Sequence, residues 1–187
     1  MAACASGPRT FLKRGFIPPP RIAVLPLTNQ TDHPDGPEIV RAWFDLLLAE
    51  QRGYRTIPLE KIDENLKKMG IQKPEQLEGI PTRHLGALLS AEALVYGELI
   101  EFVETPSRLT KERKVQARFT MLDTETGEPL WEAEGVGTTS KYSPQNTERA
   151  ESFTSNLALP EKAMNSPLKP EIWAMIKSLL QNLPNAK

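Results

Sequence analysis

Cys4 is the only thiol in the chain, and the residues before it, Met1-Ala2-Ala3, are small or apolar. That is the pattern at the end of a bacterial lipoprotein signal, where the cysteine sulfur receives diacylglycerol. Each buried methylene of an acyl chain contributes about 0.8 kcal/mol to membrane binding, so several chains on one residue hold a domain durably. Since the cysteine is the fourth residue, this reading requires the charged and apolar parts of a signal peptide to be encoded upstream of Met1. The plain alternative is a stray cysteine near a chain end. One thiol forms no internal disulfide, and no triad partner stands beside it.

The second concentration of polar chemistry is Thr28-Asn29-Gln30-Thr31-Asp32-His33-Pro34-Asp35-Gly36. His33 beside Asp32 and Asp35 suggests a base or a metal ligand. No second His or Cys lies at ligand spacing, so holding the loop is the ordinary role for it. Asn29, Thr31, Asp32, His33 and Asp35 are the candidate binding loop. His84, next to Arg83, reads as a surface residue at a helix start. No serine sits in a Gly-x-Ser-x-Gly setting, and the loop has one glycine where phosphate sites need several. The Asn29-Gln30-Thr31 triplet matches a glycosylation pattern too short to be specific. Asp63 and Glu64 lie among lysines on a solvated helix face, and Trp43, Trp131 and Trp173 read as core or hairpin residues. No catalytic set, metal or cofactor is expected.

The elements that must position this loop follow from periodicity. Residues 1–20, with Pro18-Pro19-Pro20, read as a flexible tether. Ile22-Ala23-Val24-Leu25-Pro26-Leu27 suits a strand buried on both faces. Asp35 and Glu38 predict a capping box opening a helix over 37–52, stopped by Gly53. A short strand over 54–58 then makes a parallel crossover unit with the first. Leu59, Ile62, Leu66 and Met69 form the stripe of an amphipathic helix closed by Gly70. A helical turn at 73–77 and a helix over 82–89 precede the longest strand, 93–103. Residues 114–122 alternate, with Val115, Ala117, Phe119 and Met121 on one face and Lys114, Gln116, Arg118 and Thr120 on a wet one. The turn 123–128 joins them to a strand over 130–136 as an antiparallel hairpin at the sheet edge, with Glu132 and Glu134 placed to face Lys114 or Arg118. Residues 138–165 are weakly patterned, and a helix over 170–183 ends at Pro184. The expected fold is α/β: a mixed sheet of about five strands packed with helices, plus a C-terminal helix, in one domain over 21–187.

Composition narrows the partners. The 187 residues carry 23 Lys+Arg against 24 Asp+Glu, a net charge of −1, so the basic excess that phosphate neutralisation requires is missing and nucleic acid is not expected. No apolar run reaches the roughly 18 to 20 residues that cross a bilayer as a helix.

Two blocks carry a resemblance: Ile22-Ala23-Val24-Leu25-Pro26-Leu27-Thr28-Asn29, and Ala91-Glu92-Ala93-Leu94-Val95-Tyr96-Gly97-Glu98-Leu99 with Asp123-Thr124-Glu125-Thr126-Gly127. They resemble the envelope lipoprotein superfamily that includes CsgG proteins, LpoB activators and the amino-terminal domain of TolB. Within it, Gly53-Tyr54-Arg55-Thr56-Ile57-Pro58 and Lys68-Met69-Gly70-Ile71 are similar to a neisserial-type (genome-derived antigen) lipoprotein family of unknown function. The resemblance implies a periplasm-facing domain anchored at Cys4, with Ala5 compatible with sorting to the outer membrane, and it brings no catalytic residues. The long insertions from which CsgG-type proteins build a barrel are missing, so a pore made by this chain alone is not expected. The expected function is a non-enzymatic protein-binding adaptor or assembly domain of the cell envelope, with envelope proteins as partners and homo-oligomers open. The alternatives are a binder of a small polar ligand or cell-wall fragment, and a subunit of an oligomeric secretion or envelope assembly.

Overall fold

The alternating and apolar runs pair as their patterns dictate. In a computed structural model that describes residues 10–106, 111–138 and 159–186, the platform is β4 (Ala93–Pro106), β5 (Lys111–Asp123) and β6 (Pro129–Thr138), antiparallel in sequence order. Asp123 Oδ1 closes the turn before β6 by accepting the Glu125 and Thr126 amides at 3.0 and 2.8 Å. The other edge of β4 takes two short parallel strands in succession, β2 (Ile22–Val24) and β3 (Thr28–Asn29). Pro26, which has no amide hydrogen to donate, lies between them.

β1 (Thr10–Leu12) completes a six-stranded mixed sheet in the order β1-β6-β5-β4-β2, with β3 also on β4. This corrects two expectations. The tether expected over 1–20 is partly sheet, since Thr10, Phe11 and Leu12 pair with Ala133, Glu132 and Trp131; residues 1–9, Cys4 included, lie outside the described residues. The β5–β6 hairpin is accordingly not the sheet edge, because β1 lies outside it.

The helix α1 (Gly36–Arg52) ends at Gly53 in the left-handed region, φ 72°, where glycine is unstrained. Its start departs from the expected capping box. The Asp35 side chain makes no capping bond; the Lys162 ammonium donates to Asp35 Oδ1 at 2.8 Å and Glu38 Oε2 at 3.4 Å. The strand expected over 54–58 shrinks to one parallel bridge, Ile22 to Thr56. It goes no further because Arg41 takes the next place: its Nε and Nη2 donate to the Val24 carbonyl at 3.0 and 2.8 Å.

Two cores sandwich the sheet. On one face α1 and α5 (Lys169–Leu180) cover β4 to β6, with Phe44 stacked on Phe119 at 3.9 Å and Trp43 and Trp131 fully buried. The short helix α4 (Glu161–Met164) joins them through the Trp43 indole, which donates to the Ala163 carbonyl at 3.1 Å. Close approach of α5 to β6 needs a glycine, since a Cβ at Gly137 would lie 1.9 Å from the Glu171 carbonyl oxygen. On the other face α2 (Leu59–Lys68), the 3-10 turn Pro74–Gly79 and α3 (Thr82–Leu89) cover Ala23, Leu25 and Leu94. Beyond them the sheet is wet, as the alternation predicts. Arg118 bridges Glu134 at 2.8 Å and Glu98 at 3.3 Å, and Gln116 donates to Glu134 at 2.7 Å. Such half-exposed pairs contribute roughly 0.2–1 kcal/mol each. Lys114 pairs with Glu101 instead. Of the weakly patterned stretch 138–165, residues 139–158 lie outside the described residues.

Candidate functional site

The loop that follows β3 is buckled by its own side chains. Asn29 Oδ1 accepts the Thr31 amide at 3.0 Å and the Thr31 hydroxyl at 2.8 Å, Asn29 Nδ2 donates to the His33 carbonyl at 3.1 Å, and the His33 amide donates to Thr31 Oγ1 at 3.2 Å. These are the local side-chain turns that Asn and Thr favour. The Gln30 amide donates to the Leu99 carbonyl at 2.9 Å, extending β3 by one bond, and its side chain is hydrogen-bonded to Glu98. The loop therefore leaves the sheet at a defined place.

There it walls a cleft of about 590 Å³ formed by residues 30–33, 100–104 and 167–168. The His33 ring packs on Phe102, centroids 4.6 Å apart, and its Nδ1 is buried without a hydrogen-bond partner among the described residues. The floor is the part of β4 that follows an irregularity between Leu99 and Glu101. One extra residue there changes the parity of the strand, so that Leu99 and Phe102, three apart, both join the same core.

Thr31, Asp32 and His33 thus line the cleft as members of the candidate loop. Asn29 acts as its buckle, and Asp35 lies at the Lys162 contact rather than in the lining. The Lys162 hydrogen bond, with its charge, lowers the Asp35 carboxyl below its ordinary value, and the same contact raises Lys162. Gln30, residues 100–104, Pro167 and Leu168 were not among the expected site residues. The adjacent apolar pair Leu99-Ile100, interrupting the alternation of β4, was the available signal for the first group; Pro167 and Leu168 carried none.

Among the described residues the lining holds three carboxylates, one imidazole and the Thr31 hydroxyl, groups that can carry charge and hydrogen-bond a polar or cationic ligand. Among the described residues no group of three or more His, Cys, Asp or Glu could hold a metal ion, and no helix is long and apolar enough to cross a membrane. His84 is exposed on α3. A second hollow, about 450 Å³ between Pro26, α2 and the 3-10 turn, contains Arg41, whose guanidinium is already engaged by the Val24 carbonyl and by Asp63 at 2.7 and 3.0 Å.

Comparison with known proteins agrees with this architecture. The lipoprotein GNA1162 from Neisseria meningitidis superposes with a TM-score of 0.60 at 21% identity, over 66% of this chain and 85% of that one. PelC from Paraburkholderia phytofirmans, solved as a dodecamer, gives 0.58 at 15% identity over 97% of this chain and 99% of its own. The protein CT253 from Chlamydia trachomatis gives 0.50 at 15% over 87% and 94%. At such identities these likenesses establish the fold. No curated protein matches the sequence. The family model described as "Putative lipoprotein GNA1162-like" matches residues 16–157. That span takes in β2 to β6, the buckled loop and the floor of the cleft, well over half of the chain, and by it the protein belongs to the GNA1162-like lipoprotein family.

Proposed function

We propose that this chain is a non-enzymatic, protein-binding adaptor or assembly domain of the bacterial cell envelope, facing the periplasm from the outer membrane and anchored through acyl chains on Cys4. The observation that carries the reading is the cleft beside the end of β3, built by a self-buckled loop and lined by side chains suited to recognition. Open sheets commonly bind at the carboxyl ends of their parallel strands. Membership of a lipoprotein family supports the anchor. An anchored domain needs only modest intrinsic affinity, because confinement at the membrane raises the effective concentration of its partner.

Two measurements test this on the full-length gene product in a Gram-negative host. Mass spectrometry should find Cys4 at the mature amino terminus with diacylglycerol attached. A photo-cross-linking residue at Asp32 should capture an envelope protein in intact cells. A cytosolic, unacylated product would overturn the anchor, and failure to capture any envelope protein from Asp32 or from the open sheet face would overturn the adaptor role.

A second reading, an oligomeric subunit of a secretion or envelope assembly, is favoured by the outer edge of β6. Among the described residues β1 pairs with 131–133, and Val136 beyond them is 41% exposed. The similar PelC chains form a dodecamer. Sedimentation at varied concentration should reveal association that Val136→Lys weakens; a monomer at every concentration removes this reading for the isolated domain.

A further inference from the structure

Proteins normally cover or blunt their sheet edges, because a row of unpaired N–H and C=O groups is a template for another strand. β4 is fourteen residues long, and β5 pairs with it from Ala93 to Pro106. Its opposite edge is covered much less. β2 lies along residues 93–95, β3 along 98–99, and the Gln30 amide makes the last bond at Leu99. The loop then turns away, drawn off by the hydrogen bonds of Asn29 and Thr31. From Glu101 onward this edge of β4 has no strand beside it among the described residues, and residues 101–104 are the floor of the cleft. The cleft is therefore a strand-shaped vacancy in line with β3.

Its charge points to one kind of occupant. Asp32, Glu101 and Glu104 line it, with no Lys or Arg among the described residues of the lining; Arg113, opposite Glu104 on β5, is engaged by Glu171 at 3.3 Å. Lys114 neutralises Glu101 from β5, whereas Asp32 and Glu104 are exposed and make no ion pair among the described residues. Apolar surface lies on the opposite face of the strand from Glu104, where Val103 is 37% exposed. An added strand presents alternate side chains to opposite faces, so it can offer a cation to the carboxylates and an apolar residue to the other side.

Resting on the adaptor reading, we propose that this slot receives an extended segment of a partner protein that carries Lys or Arg, added as a strand along residues 101–104 of β4 with its cation facing Asp32 and Glu104. The other occupants, a second copy or residues 139–158 of the same chain, are outcomes of the test.

The probe is acetyl-Val-Lys-Val-Lys-Val-amide, titrated into the full isotope-labelled chain and followed by amide chemical shifts. The expected result is a set of shifts confined to residues 30–33 and 100–104. Binding should weaken at least about tenfold, a loss of roughly 1.4 kcal/mol, in each of three arms. One replaces both lysines of the probe by glutamate. The second methylates alternate backbone nitrogens of the probe, removing the donors a strand needs. The third is the double variant Asp32→Lys, Glu104→Lys, which changes exposed side chains only and should then prefer the glutamate peptide. Shifts elsewhere, no shifts at millimolar peptide, or indifference to charge or methylation overturns the proposal. So does protection of the Phe102 and Glu104 amides from exchange in the free chain, which marks residues 139–158 as occupant when independent of concentration and a second copy when it grows with concentration. A partner captured in cells from the open sheet face but never from Asp32 overturns the slot and leaves the adaptor reading standing.

Discussion

Replacing Arg41 by methionine isolates the contact that ends the parallel side of the sheet. Arg41 is 6% exposed; its guanidinium donates twice to the carbonyl of fully buried Val24 and twice to Asp63, whose side chain is 52% exposed. Methionine keeps most of the aliphatic stem and removes the donors. The Val24 carbonyl then loses its partner in a dry environment, which costs about 1–3 kcal/mol. The ion pair contributes at most about 1 kcal/mol, because water reaches Asp63 and competes for it. Arg41→Met should therefore lose about 2–3 kcal/mol, whereas Asp63→Asn, which keeps an acceptor for the guanidinium, should lose about 1 kcal/mol or less. Urea unfolding with a shared slope resolves the two midpoints. In a thermal melt the arginine variant should fall by roughly 4–12 °C, at about 2–4 °C per kcal/mol for a domain of this size. Added salt should narrow the Asp63 effect and leave the Arg41 effect intact, since a buried carbonyl cap is poorly screened. Equal losses for the two variants, both erased by salt, would refute the reasoning: the arginine would then act as an ion-pair partner, and the shortness of the 54–58 pairing would need another cause.

Gly137→Ala should destabilise the domain by about 3 kcal/mol or more, since its Cβ would meet the Glu171 carbonyl oxygen at 1.9 Å and the Met175 nitrogen at 2.9 Å, backbone atoms of α5 that cannot swing aside; a melt within 2 °C of the parent would show that α5 is not held against β6 there. The Asp45 carboxyl is pushed up from 3.8 to about 6, chiefly by burial. The folded chain then binds more protons than the unfolded one between about pH 4 and 6, so this group's contribution to stability falls as pH rises through that window, by at most about 3 kcal/mol. Asp45→Asn should flatten the fall and be the more stable protein at pH 7.5; equal stabilities of the two there would count against burial outweighing the Thr56 hydrogen bond and the Arg41 charge at this carboxyl.

Local periodicity settled a great deal about this chain. Trp43, Phe44, Leu47 and Leu48 recur at helical spacing and are all buried on α1, and residues 115–121 alternate as β5 does between its core and its wet face. Such patterns are legible because a helix or strand decides which side chains share a face within a few residues. Thr10, Phe11 and Leu12 have no such pattern and are all exposed; they become a strand only because Trp131, Glu132 and Ala133 offer an edge. The capping box failed for a similar reason. Asp35 and Glu38 have the right spacing, but Lys162, far along the chain, binds both carboxylates.

The candidate loop divides along the same line. Its wealth of Asn, Thr, Asp and His, and so its turn-forming and polar character, was visible in the linear order of residues, as was the lipoprotein-type setting of Cys4. That Thr31, Asp32 and His33 face residues 100–104 and 167–168 across a cleft was not. This depends on where β3 stops along β4 and on how α5 packs over the sheet end. Sequence alone determined the local elements and the chemistry of the loop, because those rest on spacing between near neighbours; tertiary structure alone decided where β3 leaves β4 and which described side chains surround that place, because strand pairing joins residues distant in the chain through backbone groups that every residue type shares.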